Sequence, residues 1–87
     1  MIRMLCRNKV QDFAKWKAIF DSHAKAHKKA GLTLRGLWYN IDDPAEVFFA
    51  FAVSDLAKAK EFVSAPDAAK SAKESGVIEG NIWFVRD

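Results

Sequence analysis

From Glu46 to Val53 the chain reads Glu-Val-Phe-Phe-Ala-Phe-Ala-Val, apolar at every position after the first. Successive strand side chains point to opposite faces, so Val47, Phe49, Phe51 and Val53 line one side and Phe48, Ala50 and Ala52 the other. One layer of helices covers only one face of a sheet. The second face needs another cover, and the simplest one for a chain of 87 residues is a second copy of itself. Seven Phe, three Trp and one Tyr within a 51% hydrophobic composition point the same way. A domain this small buries only about 60 to 65% of its unfolded surface, which leaves apolar surface to place against a partner or a ligand.

The longest helical signal runs from Asp12 to Gly31. At about 100° per residue it puts Phe13, Trp16, Phe20, Ala24 and His27 on one face, with Lys15, Lys25 and Lys29 on the back. Asp12 caps its start by accepting from free amides, and Gly31 ends it in a left-handed conformation. An imidazole thus stands where a leucine normally would, with His23 one turn before it.

The rest of the chain falls into strands and shorter helices. Ile2 to Asn8 alternates with period two, Ile2, Met4 and Cys6 against Arg3, Leu5 and Arg7. Leu32 to Ile41 reads as a strand with Leu34, Trp38 and Asn40 on one side and Arg35, Leu37 and Tyr39 on the other. Asp42-Asp43-Pro44 is a turn. Ser54 or Asp55 caps a second helix carrying Leu56, Ala59, Phe62 and Val63 at helical spacing. Ser64 and Asp67 have the spacing of a capping box around Pro66, opening a short third helix to about Ser75. Gly76 closes it, and Asn81 to Arg86 forms the last strand.

The halves echo each other, Asp12-Phe13-Ala14-Lys15-Trp16-Lys17 against Asp55-Leu56-Ala57-Lys58-Ala59-Lys60, and Gly31 against Gly76. Two β-α-β units in tandem predict an α+β, ferredoxin-like β-α-β-β-α-β fold with a four-stranded antiparallel sheet. No linker composition separates them, so residues 1–87 are read as one domain.

Composition narrows the function classes. Fourteen basic and 11 acidic residues leave a net charge of +3, but the basic residues are scattered over solvated faces and no nucleic-acid motif accompanies them. Cys6 is the single cysteine, which excludes an internal disulfide and suits a reducing compartment. No stretch matches a signal peptide or a membrane span. The expectation is a cytoplasmic protein with neither a nucleic-acid nor a membrane partner.

Val10-x-Asp12-Phe13-x-x-Trp16-x-x-x-Phe20-Asp21-x-His23, Ala30-Gly31, Asp43-Pro44, Asp55-Leu56-x-Lys58-Ala59, Ser64-x-Pro66 and Gly76-Val77 together resemble small uncharacterised members of the dimeric α+β barrel superfamily, which includes antibiotic biosynthesis monooxygenase-like domains. The resemblance implies a homodimer packed sheet to sheet, helices outside, with a ligand pocket between sheet and helices in some members. Many relatives carry an arginine where this chain has His27. The haem-degrading branch uses an asparagine, a histidine and a tryptophan; Asn8 matches the first, but no histidine follows His27, which disfavours haem degradation.

The site candidates follow. His27 and His23 either satisfy hydrogen bonds at the helix-sheet boundary or act in a pocket, where His27 donates or accepts a proton near neutral pH. Their i, i+4 spacing also suits a metal, but no third ligand stands at a telling spacing and no metal is expected. Trp16, Trp38, Tyr39 and Asn40 are candidates for contacting a flat substrate, with core and dimer packing as the alternative for the tryptophans. Arg3, Arg7, Arg35 and Arg86 are read on the less regular strand face, where burial in a dimer would demand acidic partners such as Glu46 and Glu79, or an anion. There is no phosphate loop, catalytic triad or paired-carboxylate motif, and no cofactor is expected. Two functions remain: a cofactor-independent monooxygenase or cyclase acting on an aromatic or polyketide-like compound, and a non-catalytic dimeric binding module. A cavity beside His27 separates them, because an enzyme needs one and a module does not.

Overall fold

A computed structural model describes residues 1–87. Strand β1 (Ile2–Val10) leads into α1 (Phe13–Ser22) and α2 (Ala24–Lys29), then β2 (Leu32–Tyr39), β3 (Glu46–Val53), α3 (Leu56–Ser64), α4 (Pro66–Glu74) and β4 (Val77–Arg86). The four strands form one sheet in the order β2-β3-β1-β4, every pairing antiparallel. This is the ferredoxin-like arrangement the tandem units predict.

The register decides which side chains meet the helices. Met4 lies opposite Phe51 and Cys6 opposite Phe49, and these four join Val10, Trp16, Leu32, Val47, Val53 and Ala59 in one buried core between sheet and helices. Phe48, paired with Arg7 and Trp38, faces the other way. That side has no layer over it. Phe48 is 37% exposed, Trp38 57% and Trp83 50%, with Leu5 and Val85 also exposed.

Four local readings need correction. The helix expected from Asp12 to Gly31 breaks at His23, whose φ is −96° and ψ 10° and whose amide donates to Phe20 O at 3.1 Å. Ser22 Oγ donates to Ile19 O at 2.6 Å, taking the carbonyl that a regular helix would offer His23. Beyond the break, His27 N donates to His23 O at 3.0 Å and helix resumes.

On β2 the register against β3 shifts between Leu34 and Gly36, leaving Arg35 out of the alternation. Leu32, opposite Val53, and Leu37, opposite Phe49, therefore share the helix side although their numbers differ in parity. The expected capping box is absent. Ser64 Oγ donates back to Lys60 O at 2.8 Å, and Ala65 begins α4 with no side-chain cap. Finally, β4 starts at Val77 rather than Asn81, with Gly80 opposite Asn8.

The remaining punctuation is as read. Asp12 Oδ1 accepts from Lys15 N at 3.2 Å and Asp55 Oδ1 from Lys58 N at 3.0 Å. Gly31 and Gly76 hold φ of 76° and 80°, a region that side chains enter at a cost.

Candidate functional site

Between the sheet and the helices lies a cavity of about 730 Å³. Met4, Cys6, Phe49 and Phe51 belong to its floor, Trp16, Phe20, His23 and His27 come from α1, the break and α2, and Phe62 and Ser71 come from α3 and α4. Its α4 side is lined by small side chains, Ala68, Ser71 and Ala72 from the helix and Ser75 just beyond its end. Small side chains there leave space that leucines would fill.

His27 stands among three phenylalanines, its ring centre 5.1 Å from Phe20, 5.2 Å from Phe51 and 5.7 Å from Phe62. Loss of water in this surround holds its pKa below the usual histidine value, and nearby His23 adds a smaller push downward. The imidazole is neutral at neutral pH and can accept a proton or donate one. His23 Nε2 lies 3.4 Å from Ser71 Oγ, a tie that spans from the α1–α2 break to α4. Cys6 is buried, and burial pushes its thiol up to about 12, which removes it as a nucleophile at neutral pH. No third His, Cys, Asp or Glu joins the two histidines in a metal-ligating group.

Of the residues singled out from the sequence, the cavity brings together Trp16, His23 and His27 and leaves out Trp38, Tyr39 and Asn40. Trp16 is 2% exposed and stacked on Phe20 at 4.8 Å, so it closes one wall. Trp38 lies on the open sheet face, its indole over Gly36, where a Cβ would collide with the ring. Tyr39 rests on Phe13 with ring centres 5.6 Å apart. Asn40 Nδ2 donates to Glu46 Oε1 at 2.9 Å and helps hold the Glu46 carboxyl below its ordinary range.

The arginine reading holds for Arg3 and Arg7 and changes for Arg35 and Arg86. Arg7 meets Glu46 at 2.7 Å and Glu79 at 3.3 Å, both within the same chain, and also donates to Asn81 Oδ1 at 3.1 Å. Arg3 pairs with Asp87 at 3.4 Å. Arg86, opposite Ile2, belongs to the helix side rather than the face of Arg3 and Arg7, and Arg35 is exposed at the bulge.

Asn8 and Ser71 are polar cavity residues that were not singled out as site residues from the sequence. Asn8 continues the face of Met4 and Cys6, half-buried, and its carboxamide makes no hydrogen bond within the protein. A Cβ on Gly80 would come 2.9 Å from Asn8 Oδ1, so glycine there leaves the amide its room. The signal was an amide occupying the next position of an otherwise apolar alternation.

This architecture is shared with several solved structures. A protein assigned as an antibiotic biosynthesis monooxygenase from Bordetella bronchiseptica superposes with a TM-score of 0.79 over 99% of this chain and 95% of its own, at 15% identity. One from Deinococcus radiodurans gives 0.71 over 100% and 92%, at 12% identity. An uncharacterized NIPSNAP domain protein from Burkholderia xenovorans gives 0.68 over 100% and 94%, at 14% identity. No protein-family model matches the chain, and no curated protein does. The fold of the antibiotic biosynthesis monooxygenase structures therefore covers the whole chain, as the resemblance implied. At these identities the likeness is one of fold.

Proposed function

We propose that residues 1–87 form one cytoplasmic, homodimeric domain that holds an apolar or aromatic small molecule between sheet and helices, with His27 as the group that moves a proton. The observation that carries this reading is the 730 Å³ cavity beside a neutral imidazole. Its aromatic walls present flat apolar surface, while His27, Asn8 and Ser71 supply a few polar groups. Open space next to His27 favours the cofactor-independent monooxygenase or cyclase over the binding module, because a module has no need to keep it. The sheet face bearing Trp38, Phe48 and Trp83 supports the dimer. No helix is long and apolar enough to cross a membrane.

Oxygen uptake in the presence of hydroxylated polycyclic aromatics tests the chemistry. Turnover that falls about 100-fold in His27→Ala while ligand affinity stays within a few-fold supports an acid-base role, the size that general acid-base groups contribute. Binding without turnover in the wild-type protein assigns the module instead.

A further inference from the structure

We propose that the cavity selects an uncharged ligand, an apolar skeleton whose hydroxyl or carbonyl meets the Asn8 carboxamide, and discriminates against the carboxylate of the same skeleton. This rests on the reading of the cavity as a ligand site and adds the property on which it discriminates.

The charge distribution around the cavity is the first ground. No arginine lines it. The charged side chains that border it are Asp67, Lys70 and Glu74, all on α4 and all exposed at the rim, where two carboxylates outnumber one ammonium. Arg7, the strongest cation near this end of the sheet, is on the opposite face and engaged by Glu46 and Glu79. A carboxylate entering between Phe20, Phe51 and Phe62 would lose its hydration and gain no countercharge, the most expensive way to bury a polar group.

Asn8 is the second ground. Its amide presents one acceptor and two donor hydrogens without net charge, no group of the protein uses them, and Gly80 on the neighbouring strand keeps the approach clear. A hydroxyl both donates to and accepts from such an amide, whereas a carboxylate only accepts. His27 reinforces the preference, since its surround of phenylalanines keeps it neutral.

The test uses three probes of one skeleton, naphthalene, 2-naphthol and 2-naphthoate, titrated calorimetrically into the wild-type protein, Asn8→Leu and Gly80→Ala near neutral pH. Naphthol should bind about tenfold or more tighter than naphthoate. Asn8→Leu should bring naphthol down to the affinity of naphthalene, and Gly80→Ala, which crowds the amide from the next strand, should weaken naphthol in the same direction if the first variant fails to fold. Naphthoate binding as tightly as naphthol overturns the charge selectivity while leaving the ligand site standing. Selectivity that survives both variants overturns the role of Asn8. If none of the three probes binds, the ligand-site reading falls and this inference with it.

Discussion

His27 ties the stability of the protein to pH in a direction fixed by its surroundings. Its folded pKa lies below the ordinary value of 6.5 because Phe20, Phe51 and Phe62 strip water from it and His23 stands near. The unfolded chain therefore binds the proton more readily. Stability rises with pH between the folded value and 6.5, is complete above that window, and is lost as pH falls through it. Urea midpoints across this range should fall on acidification in the wild-type protein and flatten in His27→Phe. The carboxylates of Asp43, Glu46 and Asp87 are held below their ordinary values by Lys9, by Asn40 and Arg7, and by Arg3 respectively. Their contribution is present above the ordinary carboxylate range and is lost as pH drops through their lowered values. Site legibility also resolves at this scale. Trp16 and His27 both line the cavity as the helical period placed them, although the helix breaks between them at His23. Trp38, Tyr39 and Asn40 were read from residue type, as surface suited to a flat ligand, and their strand end lies outside the cavity. Asn8 was visible as an amide in an apolar row, but its value depends on Gly80, a neighbour that only strand pairing brings near.

Among the elements, α4 is a lightly anchored wall of the cavity. None of its side chains is buried, its N-terminus has no side-chain cap, and the His23–Ser71 contact is the side-chain bond that reaches it from across the cavity. Helices held so lightly open below the global unfolding free energy. Cys6, the sole thiol, lies buried on the cavity floor and reports such opening without any added label. N-ethylmaleimide should modify it faster than global unfolding allows. Ala65 already has extended backbone, with φ −68° and ψ 148°, at the cap position. Ala65→Asp should therefore supply the missing cap, stabilise α4 by about 1 kcal/mol, and slow labelling roughly fivefold. Labelling that tracks global unfolding in both proteins would mean α4 does not open alone. The missing cap was misread for a physical reason: Ser64 spends its hydroxyl on α3 carbonyls instead of on α4. The break at His23 follows from the same kind of competition at Ser22, a tendency that helical periodicity does not weigh.

At the scale of the molecule, the greasy middle strand was the most legible feature, and the sheet divides its residues between two fates. Val47, Phe49, Phe51 and Val53 lie in the core under the helices, while Phe48 looks out with Leu5, Trp38, Trp83 and Val85. The two fates predict different consequences for the same substitution. Phe51→Asp places an unpaired carboxylate in the core and should unfold the chain, since loss of a buried phenylalanine alone costs about 3 to 5 kcal/mol. Phe48→Asp and Trp83→Asp leave the core intact. They should lower the sedimenting mass from dimer to monomer at micromolar concentration with the far-ultraviolet spectrum preserved. Each large side chain withdrawn from water on this face contributes about 1.5 to 3 kcal/mol before the costs of association, so two opposed aspartates in a self-complementary interface remove the gain twice over. Arg7 finds both of its acidic partners, Glu46 and Glu79, within one chain and needs none from a second copy. Association should consequently depend weakly on salt, and strong dissociation in salt would place the contact on charges instead of this apolar face. A wild-type protein that sediments as a monomer would leave Trp38 and Trp83 in water and remove the reason for the doubly apolar strand.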